Sequence, residues 1–240
     1  MDLGVYVSTL NEDVLIEACL KNIIKVFPTV RVIDLGSTDR TVDIVEGLGV
    51  PINHHPLQPM KTPLDGPAQE WIRLKNEYAA KHDWILIIDG DEIFDEENLL
   101  KLKGLFEEAS QDTWKSYKSP RCAGRGGPYT AYHIGWKMVR ETGEGYQVSN
   151  MIPSGTKLYK SSAYTFYRGW PTEILKTNDV FREHSHKQPK DETTAWCWHG
   201  VLLNRSSMPE ATGRMKKRQE RTMYYNDQLQ WEDIEKWPWT

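Results

Sequence analysis

The run Trp84-Ile85-Leu86-Ile87-Ile88, which stops at Asp89, constrains the fold most. Five consecutive apolar residues cannot form a half-exposed strand, where polar and apolar positions alternate. They suit a parallel strand covered on both faces by helices. The preceding chain agrees. Leu3 to Ser8 is a short buried strand, and Asn11 to Asp13 supply capping side chains before Val14, Leu15, Ala18, Cys19, Ile23 and Ile24 at helical spacing. Val30 to Asp34 is a second strand, and Gly36-Ser37-Thr38-Asp39 opens a helix bearing Val42, Val45 and Leu48. After a proline-rich loop from Pro51 to Pro67, a helix is predicted over Gln69 to Lys81, and another begins at Asp95-Glu96-Glu97. Alternating strands and helices make an open α/β sheet, with ligands beyond the carboxyl ends of the strands. The loops after Ser8, Asp34 and Ile88 are therefore expected to converge.

From about Trp114 the pattern shortens to β-like stretches, Thr130 to Val139 and Lys157 to Phe166, which read as the acceptor half. Glu210 to Trp231 reads as a helix, made basic by Arg214, Lys216, Lys217, Arg218 and Arg221. The organisation expected is one domain over residues 1–205, divided at 110, and a helical extension over 206–240. Across 240 residues, 30 basic side chains nearly offset 34 acidic ones, which disfavours a wholly basic nucleic-acid binder. No apolar run reaches the roughly 18 residues of a membrane span, and Asp2 stands where a signal peptide would carry basic charge. Three widely spaced cysteines, Cys19, Cys122 and Cys197, fit a reducing cytoplasm. The chain carries 10 Trp and 11 Tyr against 5 Phe, a bias towards rings able to stack on sugars or bases.

Asp89-Gly90-Asp91-Glu92 is the sharpest chemical feature. Clustered carboxylates at a strand end repel one another, and a hard divalent cation shared with substrate phosphates is their natural partner. The plainer reading is an acidic capping turn. Likewise Thr9-Leu10-Asn11-Glu12 and Asp34-Leu35-Gly36-Ser37-Thr38-Asp39 serve equally as turns and helix caps when taken singly.

Taken together, in this order and spacing, the three loops resemble the inverting glycosyltransferases of family two, which have the GT-A fold. Lys75-Asn76 and His82-Asp83-Trp84 extend the likeness, which runs from about Leu3 to Ala109. The resemblance implies a nucleotide-diphosphate sugar donor, a UDP-sugar first, and Mn²⁺ or Mg²⁺ as cofactor. It implies that Thr9, Asn11, Glu12, Asp34, Gly36, Ser37, Asp89 and Gly90 bind the nucleotide sugar. Asp91 would hold the metal with Asp89. Arg73 and Lys75, on the preceding helix, could reach the nucleotide. Leu35 replaces the usual second Asp and leaves the base open.

An inverting transfer needs a base for the acceptor hydroxyl. Tyr167 to Glu173 is similar to a subgroup pattern whose Glu position is Glu173, with Thr172 where His is usual; Asp179 and Glu183 are reserves. Of the clustered His184, His186 and His199, the last is the best third metal ligand. His54 and His55 are expected on the surface. Trp136, Trp170, Trp196 and Trp198 could stack an acceptor, either a saccharide or a modified DNA base. A nucleotidyltransferase acting on a sugar phosphate, or a domain that binds nucleotide without turnover, are the rival readings.

Overall fold

The computed structural model describes residues 1–55, 66–110, 131–168, 174–177, 195–208 and 228–234. The predicted alternation is present: β1 (Leu3–Thr9), α1 (Ile16–Val26), β2 (Val30–Asp34), α2 (Thr41–Gly47), β3 (Ile52–His54), α3 (Gly66–Ala79), β4 (Trp84–Asp89), the two-residue β5 (Glu92–Ile93) and α4 (Glu96–Ser110). The short strand β3 falls inside the stretch expected as a proline-rich loop. Strands then dominate: β6 (Ala131–Thr142), β7 (Gly145–Ser149), β8 (Ile152–Lys160), β9 (Tyr164–Arg168), β10 (Ile174–Thr177), β11 (Trp196–His199) and β12 (Trp231–Ile234).

The main sheet runs β12-β7-β6-β8-β4-β1-β2-β3. β3, β2, β1 and β4 are parallel, whereas β8 joins β4 antiparallel. It is an open mixed α/β sheet, as expected. Both faces of its parallel part are covered. Val5, Val7, Leu86 and Ile88 pack with Cys19, Leu20 and Ile23 of α1 and Leu99 and Leu102 of α4. Tyr6, Ile85 and Ile87 point the other way, into a second cluster with Ile72 and Ala79 of α3. The period-2 alternation of a strand thus divides one apolar run between two helical layers. Burial of these side chains supplies the main driving force for the layering.

The strand order reverses between β1 and β4: β2 and β3 extend from one side of β1, and β4 lies on the other. In register, Ser8 neighbours Asp89 there. Such a switch point leaves a crevice at the carboxyl ends of the strands.

Three expectations change. Helix α1 starts at Ile16 with Leu15 as its uncapped entry residue, so Asn11 to Asp13 do not cap it. Its buried stripe is Ile16, Cys19, Leu20, Ile23 and Val26, and Val14 and Ile24 are exposed. Trp231, expected to end a helix, instead opens β12 and pairs with Ser149 of β7. Residues 209–227, which carry the basic stretch, lie outside the described residues. No helix among the described residues is long and apolar enough to cross a membrane.

Candidate active site

The three motif loops do converge, because each uses its polar side chains on the next. Leu35 N donates to Thr9 O at 2.9 Å, and Gly90 N donates to Ser8 O at 2.8 Å. Asn11 takes a left-handed φ of 51°, a conformation Asn tolerates better than most residues. From there its backbone N–H donates to Ser37 Oγ at 2.7 Å, and its Oδ1 accepts from Thr38 N at 2.8 Å. Glu12 N donates to Thr41 Oγ1 at 2.8 Å. Asn11 and Glu12, in the stretch expected to cap α1, thus tie the first loop to the second.

Asp34 is fully buried and organises the second loop. Its Oδ2 accepts from Gly36 N at 3.0 Å and Ser37 N at 2.9 Å, and Oδ1 accepts from the Ser37 hydroxyl. Gly36, at φ 91°, makes that tight return possible. His54 is exposed, as expected, and its Nδ1 lies 2.6 Å from Asp34 Oδ2, so it also partners this loop. Gly90 is required by proximity: a Cβ there would lie 2.9 Å from Thr9 Oγ1 and 3.1 Å from Glu12 Cγ.

The carboxylates after β4 enter two separate ion networks. In the first, Lys157 of β8 inserts between Asp89 and Glu92. Its Nζ is 2.9 Å from Asp89 Oδ2 and 2.7 Å from Glu92 Oε1. Ser8 Oγ donates to Asp89 Oδ1 at 2.7 Å, Trp136 Nε1 donates to Glu92 Oε1 at 2.8 Å, and Asp89 N donates to Glu92 Oε2 at 2.9 Å. Each of the four carboxylate oxygens therefore has a donor. Burial pushes the Asp89 carboxyl up, but Lys157 and the Ser8 hydroxyl outweigh it and hold the group below its ordinary range. For Glu92 burial wins over Lys157, and its carboxyl is raised. Burial would lower Lys157, but the two carboxylates hold its ammonium far above the usual range.

The second network centres on Asp91, which is 3% exposed. The Arg205 guanidinium donates to Asp91 Oδ2 through Nη1, which also lies 3.1 Å from Glu12 Oε1. His199 Nε2 approaches the same Asp91 oxygen at 3.5 Å. The imidazole is stacked on Trp136, with ring centroids 4.5 Å apart. Burial opposes the charge on Asp91, yet Arg205 and then His199 hold its carboxyl far below the ordinary range. This network is not closed: among the described residues, His199 Nδ1 and Arg205 Nε are buried without a hydrogen-bond partner, and so is Thr9 Oγ1.

Arg205 belongs to a strap over residues 200–208 that crosses the first two motif loops. Gly200 N donates to Asp91 O at 2.8 Å, and Val14 N donates to Arg205 O at 3.1 Å. Ser206 Oγ donates to Asp39 Oδ2 at 2.6 Å, and Ser207 N donates to Asp13 Oδ1 at 2.6 Å. Strand β11 delivers the strap by pairing parallel to β6 and antiparallel to β5, which aligns His199 with Glu92.

Among the residues expected at the site, Asn11, Glu12, Asp34, Gly36, Ser37, Asp89, Gly90, Asp91 and His199 meet in these loops and networks. Arg73 is exposed and pairs with Glu77 one helical turn away. Lys75 is buried, its ammonium 4.9 Å from the Phe166 ring centroid and 5.6 Å from that of Tyr6. Asn76 braces β9, donating to Phe166 O at 3.0 Å and accepting from Phe166 N at 2.8 Å. Glu173, Asp179, Glu183, His184, His186 and Trp170 lie outside the described residues. Trp196 and Trp198 pack edge to face at 5.0 Å, with Lys137 Nζ 4.2 Å from the Trp196 centroid. Lys157, Arg205 and Ser8 were missed. The one available signal was charge accounting: buried acids such as Glu12, Asp91 and Glu92 need cations from elsewhere in the chain.

A divalent cation implied by the acidic motif meets two donors of suitable chemistry, the Asp91 carboxylate and the His199 imidazole. No group of three His, Cys, Asp or Glu side chains among the described residues could hold a metal. Two protein donors fit Mg²⁺ or Mn²⁺, whose remaining ligands come from substrate phosphates and water.

Residues 4–114 match the family model described as Glycosyl transferase family 2. The match covers a little under half of the chain. A curated relative, an uncharacterized glycosyltransferase of Rickettsia bellii (strain RML369-C), is 30% identical over 118 residues, 48% of this chain and 36% of that protein. The chain is also similar to the crystal structure of S. aureus TarS 1-349 in complex with UDP-GlcNAc. That likeness has 19% identity and a TM-score of 0.42, over 70% of this chain and 49% of the other. Glucosyl-3-phosphoglycerate synthase from Mycobacterium tuberculosis, in complex with Mn²⁺, UDP and glucosyl-3-phosphoglycerate, gives 18% identity and a TM-score of 0.43 over 93% and 78% of the two chains. The family 2 match ends before β6, so Lys157, His199 and Arg205 come from outside it.

Proposed function

We propose that the chain transfers a sugar, with inversion, from a nucleotide-diphosphate sugar to an acceptor hydroxyl, assisted by Mn²⁺ or Mg²⁺. The observation that carries this reading is the convergence of the three motif loops at the β1/β4 switch point, within the segment that matches family 2. Asp91 and His199 hold the cation, which when bound neutralises charge on the leaving diphosphate. The loops around Thr9, Asn11, Asp34 and Ser37 take the nucleoside, and a UDP-sugar is the first donor to try. Glu173 takes the proton of the acceptor hydroxyl as it attacks the anomeric carbon from the face opposite the leaving group. The acceptor is a saccharide or a modified DNA base, with Trp136, which lies against His199 of the Asp91 network, as a candidate contact. Buried free thiols at Cys19 and Cys197 accord with a cytoplasmic setting.

A thermal-shift screen of nucleoside diphosphates and nucleotide sugars, with and without Mn²⁺, tests the donor class, because a ligand bound only by the native state raises its stability. Absence of a shift with every nucleotide would remove the reading, and pyrophosphate release from a nucleoside triphosphate would replace it with nucleotidyl transfer. Once a donor is found, Glu173→Gln is expected to lower turnover at least 100-fold with donor affinity within threefold. An equal loss in both would assign Glu173 a structural role.

A further inference from the structure

Asp91 offers one carboxylate oxygen to two partners at once. Arg205 donates to Oδ2, and His199 Nε2 stands 3.5 Å from that same atom. An ion held between His199 Nε2 and its nearest Asp91 oxygen, Oδ2, would occupy the space beside this oxygen, which the guanidinium already takes. Two positive groups cannot share one desolvated carboxylate oxygen without strong repulsion.

Arg205 has somewhere else to go. Its Nη1 is also 3.1 Å from Glu12 Oε1, so the side chain bridges two acids and can keep one after giving up the other. Its Nε is buried and lacks an acceptor among the described residues, so the present pose leaves donor capacity unused. The backbone around it is anchored independently, by Val14 N to Arg205 O, by Ser206 to Asp39 and by Ser207 to Asp13. A change of side-chain rotamer suffices, and the strap need not move.

We propose that Arg205 and a divalent cation compete for Asp91, with Glu12 retaining the displaced guanidinium. In the ion-free protein Arg205 acts as a built-in counter-ion that keeps the buried Asp91 neutralised. With the ion in place, each acid still has a positive partner: Asp91 the ion, Glu12 the guanidinium. Arg205 is thus a positioning residue that sets how tightly the site takes metal. The inference rests on the metal-holding role of Asp91 proposed above.

The test is a titration of Mn²⁺ into the full chain without nucleotide, read by calorimetry or by the paramagnetic resonance of free Mn²⁺. Arg205→Gln is expected to bind Mn²⁺ at least tenfold more tightly than the unaltered chain. Arg205→Lys, which keeps the charge but on a compact and more strongly hydrated ammonium, should gain about threefold. If the Gln variant fails to fold by circular dichroism, the Lys variant carries the test. Asp91→Asn should abolish binding in every background. Mn²⁺ affinity that is unchanged or weaker in the Arg205 variants overturns the competition, as does Mn²⁺ binding that survives Asp91→Asn or is absent throughout. Loss of a purely structural contact would weaken metal binding rather than strengthen it. Repeating the titration with UDP separates the two claims. Tighter Mn²⁺ with no nucleotide bound by any variant leaves the competition standing and removes the transferase reading. Metal-dependent UDP binding with no gain in Arg205→Gln does the reverse.

Discussion

The two ion networks after β4 begin two residues apart in sequence, yet they are built to different standards. Around Lys157 every oxygen of Asp89 and Glu92 has a donor, and the ammonium is buried between them. Around Asp91 one oxygen is oversubscribed, while His199 Nδ1 and Arg205 Nε have no partner among the described residues. Buried polar groups normally find partners, and each exception calls for an explanation, a group that binds there being one. The Lys157 network therefore reads as a brace that fixes the ends of β1, β4 and β8. The proposed function puts binding at the Asp91 network.

The largest expected difference comes from breaking the brace. Lys157→Met should cost about 3–5 kcal/mol, the range for stranding a buried charge by removing its partner. Its pH dependence carries a sign. With the ammonium gone, the Asp89 and Glu92 carboxyls move above their unfolded values. Their contribution is then fully present below about pH 4 and lost as pH rises through the new folded values. The stability deficit of the variant relative to the unaltered chain should therefore shrink from neutral pH towards about pH 4, and a deficit that stays constant would contradict the brace.

Asp91→Asn should cost less stability, about 1–3 kcal/mol, because Glu12 still faces Arg205. It should nonetheless lower metal-dependent transfer at least 100-fold. Equal stability losses in the two variants, or undiminished transfer, would erase the contrast between the networks. The smallest effect is on the unaltered chain itself. Asp91 and Asp89 are held below the ordinary carboxyl range, so their stabilisation is present above about pH 4 and fades as pH falls further. Unfolding followed from pH 6 to pH 3 should show this loss, with a shallower slope in Asp91→Asn.

The half of the site that was legible in the sequence is the half made by local rules. A five-residue apolar run has one natural home in a two-faced sheet, and loops at the ends of parallel strands must meet. That Asp34, Asp89 and Asp91 sit in loops that meet followed from that geometry; their roles were implied only by the resemblance to family two. Lys157 and Arg205 did not, because Lys157 meets Asp89 across 68 positions and Arg205 meets Asp91 across 114. A lone Lys in a strand and a lone Arg in a loop carry no periodic signal of the acid they will meet. The misread cap at Asn11 to Asp13 has a related cause: these side chains have helix-capping chemistry, but Asn11 and Asp13 spend it on Thr38 and Ser207.

The antiparallel seam between β4 and β8, where Trp84, Ile85 and Leu86 face Lys160, Tyr159 and Leu158, bears on how the molecule is made. The family 2 segment ends at 114, before β8 exists, so a growing chain of that length carries β4 as an open edge. A bare, flat, apolar edge invites pairing with other chains. It stays unprotected until some forty further residues have been added, a period in which nascent chains are most prone to aggregate. A fragment cut at the family boundary is accordingly a poor expression target, and the shortest soluble piece should run through β8.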